Sequence, residues 1–142
     1  LNPERSRCFL GVDYGRRRTG LALCDPEGRL AYPLATLQAR GLDDLAARLA
    51  ERVAEHAASA VVLGSPRHLD GSPGEIVTDV EDLAARLRAR GIAVILWDER
   101  LTTWEAEEKL RHAPIAVRRR KGAADEAAAT ILLQSYIETL PR

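Results

Sequence analysis

The hydrophobic period changes near residue 42, and that change constrains the fold more than any other feature. Before it, apolar residues come in short runs at 8–13, 18–25 and about 29–37, separated by Tyr14-Gly15 and Pro26-Glu27-Gly28. Connections this tight make neighbouring strands antiparallel. After it, Leu42, Leu45, Ala46, Leu49, Val53 and Ala57 recur at helical spacing, which predicts a helix over about 42–58. Ala60-Val61-Val62-Leu63-Gly64 is wholly apolar, the pattern of a strand covered on both faces.

The remainder alternates. Ser65 to Gly74 reads as a loop, and Ser72-Pro73-Gly74-Glu75 as a helix start with a Ser cap and a Glu three residues on. Ile76, Val77, Val80, Leu83, Ala84 and Leu87 mark that helix's buried face, ending near Gly91. Residues 92–97 predict another buried strand. Thr102 and Glu105 open a short helix to about Arg111, 112–122 reads as irregular, and a last helix runs from Ala123 to about Leu140 with Ala128, Ile131, Leu132 and Ser135 on one face. The order predicts an α/β fold: a five-stranded mixed sheet, three antiparallel strands then two parallel ones, flanked by helices. A right-handed crossover sets the fourth strand beside the first. At 142 residues the chain is expected to form one domain over 1–142.

Composition excludes more than it indicates. With 21 basic and 21 acidic residues, net charge argues for no partner, so any nucleic-acid case rests on local clusters. The apolar runs fall short of the roughly 18 residues a membrane span needs. The few aromatic residues offer no platform for stacked bases. Cys8 and Cys24 lack metal-ligand spacing and read as core thiols. No basic-then-apolar leader opens the chain, so the expected location is cytoplasmic.

In such a sheet, ligands gather at the carboxyl ends of strands where strand order reverses. Asp13 closes the first strand there, and Glu99 follows the last. Asp125 opens the final helix. Each has a plain alternative: Asp13 capping the Gly15 turn, Glu99 pairing with Arg100, Asp125 complementing the helix dipole. Asp98 is left outside the set, and Glu126, one position round the helix, is expected to face away. If the three acids meet, they repel unless cations arrive. Oxygen-only ligands suit Mg²⁺ or Mn²⁺ rather than zinc. Two such ions roughly 4 Å apart can clamp both the attacking water and the leaving oxygen of a phosphodiester. Arg16, Arg17 and Arg18 follow Asp13 directly, and Arg118, Arg119, Arg120 and Lys121 precede Asp125. Arg67, after the central strand, is a third basic candidate. Guanidinium forks suit phosphate oxygens, and such contacts position a backbone without reading sequence.

Four ordered motifs carry a resemblance. Asp13-Tyr14-Gly15-Arg16-Arg17-Arg18-Thr19-Gly20-Leu21-Ala22 is the first. Gly64-Ser65-Pro66 with Asp70-Gly71-Ser72 is the second. Asp98-Glu99-Arg100-Leu101-Thr102-Thr103 with Glu105-Ala106 is the third, and Lys121 with Asp125, Ala127-Ala128, Ile131-Leu132 and Tyr136 the fourth. Over about residues 8–140 the chain resembles the YqgF/RuvX family. The resemblance implies a ribonuclease H-like fold close to the Holliday-junction resolvases. It further implies a Mg²⁺- or Mn²⁺-dependent nuclease acting on the 5′ end of precursor 16S ribosomal RNA, on branched DNA, or on both. It makes Asp13, Glu99 and Asp125 the metal-binding catalytic triad. One departure stands out. The resolvase pattern has its second acid at the end of the fourth strand, where this chain has Gly64-Ser65-Pro66, so that acid must come from Glu99 next door. Symmetric cutting of a two-fold junction would favour a homodimer. The competing reading is a nucleic-acid-binding ribosome-assembly or transcription factor without catalysis, in which the acids are structural.

Overall fold

A computed structural model describes residues 8–65, 75–99 and 123–141. Its elements are β1 (Phe9–Asp13), β2 (Thr19–Cys24), β3 (Ala31–Leu37), α1 (Leu42–His56), β4 (Ala60–Ser65), α2 (Glu75–Ala89), β5 (Val94–Asp98) and α3 (Ala123–Ile137). The strands form one sheet in the order β3-β2-β1-β4-β5. β1 pairs antiparallel with β2, and β2 with β3. β4 lies parallel to β1 and β5 parallel to β4. The mixed sheet and the central place of β1 are those the sequence predicts.

Alternation along the strands separates two cores. Leu10 and Val12 of β1, Leu21 and Leu23 of β2, and Val61 and Leu63 of β4 point to one face. There they pack with Leu45 and Leu49 of α1 and Val80, Leu83 and Leu87 of α2. A fully buried Leu contributes about 1.5–3 kcal/mol, so this layer dominates the hydrophobic stabilisation. On the other face, Ala22, Cys24, Ala31 and Val62 pack under Ala129, Leu133 and Ile137 of α3. Near the middle of this face Gly11, Ala22 and Ala31 are small, and the helix comes close. A Cβ added to Gly11 would lie 2.8 Å from Leu133 Cβ and 3.1 Å from the Ala129 carbonyl oxygen.

Four expectations need correction. α1 stops at His56 rather than 58, because Ala57 turns left-handed (φ 52°) and its N–H bonds back to Ala54 and Val53. β5 is not a fully buried strand: it forms the sheet's edge, and Leu96 is 38% exposed. The sheet-facing side of α3 carries Ala129, Leu133 and Ile137, while Ala128 is exposed. Glu126 does not face away; it is buried. The short helix expected at 102–111 and the irregular stretch after it lie outside the described residues. Cys8 and Cys24 are free thiols, with Cys24 Sγ accepting a hydrogen bond from the Phe9 N–H. No described helix is long and apolar enough to cross a membrane.

Candidate active site

The carboxyl ends of the three parallel strands lie side by side: Asp13 on β1, Gly64-Ser65 on β4 and Asp98 on β5, with Glu99 just beyond. Asp13 pairs across β2 with Gly20, and Gly20 across β3 with Thr36. Gly64 follows Leu63, the partner of Val12, so it extends the same row on the other side of Asp13. Alternation decides the face. Phe9 and Gly11 meet α3, so Asp13 shares their side of the sheet. Ile95 and Trp97 pack on that face too, and Glu99 continues the alternation.

The side chains of Asp13 and Glu99 hydrogen-bond each other, which requires one carboxyl to hold its proton. Glu99 is the carboxyl that favours it. Its pKa is pushed up to about 7, first by burial, then by the hydrogen bond and charge of Asp13, and finally by the charge of Asp98. Glu99 reaches this place because Gly64 lacks a side chain. A Cβ on Gly64 would lie 2.7 Å from Glu99 Oε1 and 3.2 Å from Leu132 Cδ2. The carboxylate absent from β4 is thus supplied from β5, over the glycine.

α3 runs antiparallel to β1. Tyr136 stacks edge-on against Phe9 (5.5 Å) at the start of β1 and against Trp97 (5.3 Å), whereas Ala129 and Leu133 lie over Gly11. The first turn of α3 therefore overhangs the Asp13 end of the strand. Leu132 and Tyr136 mark the side of α3 toward β4 and β5. Glu126 and Gln134 mark the side toward β3, through Thr36 and through Ala31 and Arg29. Backbone position 125 falls in line with Ala129, Leu132 and Tyr136, on the β1–β4 side. The Asp125 side chain lies outside the described residues.

The basic candidates divide. Arg16 is committed to α2: its Nε lies 3.0 Å from Asp79 Oδ2 and its Nη1 3.4 Å from Glu75 Oε2. Tyr14 Oη donates to the same Asp79 oxygen at 3.1 Å. Burial and this bond raise the Tyr14 pKa. The pairing ties the segment after Asp13 to the start of α2. Arg17 and Arg18 are exposed on the same turn. Arg67, Arg118, Arg119, Arg120 and Lys121 lie outside the described residues.

Sequence reasoning missed the role of Gly64 and the burial of Glu126 and Gln134. Gln134 Oε1 accepts from the Ala31 N–H at 2.8 Å, and its Nε2 donates to the Arg29 carbonyl at 3.1 Å. Glu126, Thr130 and Gln134 stand at four-residue spacing. A polar line of that kind reads as a wet face, yet here it packs on β3.

The donors suit a hard divalent cation. Two carboxyls held together in a half-buried notch repel when both ionise, and a bound cation relieves that repulsion. No group of three metal-ligating side chains forms among the described residues, and Asp125 lies outside that search.

Residues 7–139 match the RuvX family, described as Holliday junction resolvase. A protein of Syntrophus aciditrophicus (strain SB) named "Putative pre-16S rRNA nuclease" is 41% identical over 133 residues, covering 93% of this chain and 89% of that protein. Among solved structures, RuvC of T. thermophilus in complex with Holliday junction substrate aligns with a TM-score of 0.63. It is 16% identical and covers 92% of this chain and 94% of that one. Fowlpox virus resolvase, in complex with Holliday junction DNA, gives a TM-score of 0.55 at 14% identity, covering 95% and 99%. At such identities the structural likeness speaks for the fold, which is RuvC-like.

Proposed function

The chain belongs to the RuvX family, and from that premise we propose that it is a cytoplasmic, divalent-metal-dependent nuclease. Its substrate would be structured nucleic acid: the 5′ end of precursor 16S ribosomal RNA, branched DNA such as a Holliday junction, or both. The observation that carries the reading is the meeting of Asp13 and Glu99 over Gly64, with a carboxyl held near neutrality. Misplaced structural acids would be expected to separate or to recruit an arginine. The family description supports junction DNA, and the names of curated relatives support ribosomal RNA.

In this reading Asp13, Glu99 and Asp125 hold Mg²⁺ or Mn²⁺. When bound, the metal supplies a more acidic water as nucleophile and neutralises charge on the departing 3′ oxygen. Glu99 gives up its proton as the site loads, so metal affinity rises with pH up to about 7. Asp98, close enough to act on Glu99 by charge, adds to the negative field that attracts the cation. Arg17 and Arg18 would hold backbone phosphates beside Asp13, with Arg67, Arg118, Arg119, Arg120 and Lys121 extending the track. Arg16 would first have to leave Asp79 and Glu75.

The test is cleavage of a four-way DNA junction and a precursor 16S RNA, side by side, over a series of divalent metals. The expected products carry 5′-phosphate and 3′-hydroxyl ends. Asp13→Asn should abolish cutting while leaving the circular dichroism spectrum unchanged. Undiminished rates in that variant at saturating Mg²⁺ would remove Asp13 from the mechanism.

A further inference from the structure

We infer that the hydrogen bond between Thr36 of β3 and Glu126 of α3 is a positioning clamp, which sets the rotation of the first turn of α3, and with it backbone position 125, over the Asp13 end of β1. This rests on the nuclease reading above and assigns a role to two residues outside its triad.

Thr36 Oγ1 donates to Glu126 Oε2 at 3.1 Å. Glu126 is 2% exposed, and a carboxylate so deeply buried needs specific partners to be tolerated. Its partner is not a random neighbour. Thr36 sits in the same cross-strand row as Asp13, with only Gly20 between them. The row therefore fixes Glu126 at one end and presents Asp13 further along. Glu126 directly follows Asp125 in the helix, so the two positions differ by one step of about 100°. Pinning the turn through Glu126 fixes the backbone at position 125 as well. One turn on, Thr130 Oγ1 bonds the Glu126 carbonyl at 2.7 Å. Two turns on, Gln134 grips the backbone of Ala31 and Arg29. α3 is thus held against β3 at two points, which a helix apolar on several sides needs, because apolar packing alone does not select one rotation. Gly11 sets the distance of the helix, and the polar contacts set its angle.

The experiment compares Thr36→Val, Thr36→Ser and Glu126→Met. Isothermal titration with Mn²⁺ on free protein gives affinity without reference to turnover. Thr36→Val keeps the shape and removes the donor. It should weaken Mn²⁺ binding about tenfold, as loss of outer-sphere support typically does, and lower kcat with KM for nucleic acid unchanged. Thr36→Ser, which restores the hydroxyl, should rescue both. Glu126→Met, which removes the acceptor at similar length, should resemble Thr36→Val, and it decides the matter if Thr36→Val fails to fold. A clamp that only stabilised the fold would lower the melting temperature and leave Mn²⁺ affinity untouched. Wild-type affinity in both Thr36→Val and Glu126→Met overturns the inference while leaving the nuclease reading standing. Absence of Mn²⁺ binding and of cleavage in the wild-type protein removes the reading, and the clamp with it.

Discussion

Replacing Glu99 by Gln should make the metal-free protein more stable above neutrality while destroying its activity. In the folded chain Glu99 keeps its proton up to about pH 7, whereas an ordinary glutamate releases it at 4.5. Between those values the folded state binds more protons than the unfolded one. Stability therefore falls as pH rises through that window and stays low above it. Converted at about 1.4 kcal/mol per pH unit, the whole displacement corresponds to roughly 3 kcal/mol. The carboxyl is only half-buried, so solvent screening brings the expected effect down to about 1–2 kcal/mol. Gln keeps a hydrogen bond to Asp13 and never ionises. For a chain of this size the gain is a melting temperature about 3–7 °C higher at pH 8, shrinking toward zero at pH 4.5 and below. Thermal unfolding in EDTA across pH 4 to 8.5 measures it. Mn²⁺ added at pH 8 should then stabilise the wild-type protein more than the variant. A variant less stable than wild type at pH 8, or a gap that does not change with pH, would refute the reasoning.

Gly64→Ala places a methyl 2.7 Å from Glu99 Oε1; metal-dependent cleavage should fall at least tenfold, with about 1–3 kcal/mol of stability lost in urea titration. Gly11→Ala pushes on Leu133 and the Ala129 carbonyl, and should cost about 1–3 kcal/mol by lifting α3, read by the same titration. Tyr14→Phe removes the donor to Asp79 but not the Arg16 pair; the expected loss is about 1 kcal/mol, with little change in cleavage.

The sheet was legible because its signals are local. Tight turns at Gly15 and Gly28 dictate antiparallel neighbours, and the apolar run at 60–63 demands cover on both faces. The approach of Asp13 to Glu99 follows from the crossover that puts β4 beside β1. The orientation of α3 was not legible. Apolar side chains occur nearly all round it, so periodicity picked Ala128, whereas the structure buries Ala129 and Leu133. The partners that bury Glu126 and Gln134 lie on β3, some ninety or more residues away (36 against 126). No local pattern reports them. Asp125 entered as the acid that opens the last helix, and the motif resemblance set it in the triad. The engagement of Arg16 by Asp79 was equally hidden, since both look like ordinary solvated charges.

The helix over Gly11 and Gly64 comes after every strand in chain order. A nascent polypeptide that has emerged only as far as β5 already owns the Asp13 and Glu99 strands. It leaves Ala22, Ala31 and Val62 uncovered, though, and their wet side is a sticky surface. Such a half-made product would be vulnerable to quality-control proteases. The three-acid site proposed above would be complete only once synthesis has delivered the last helix, a timing built into the order of the elements.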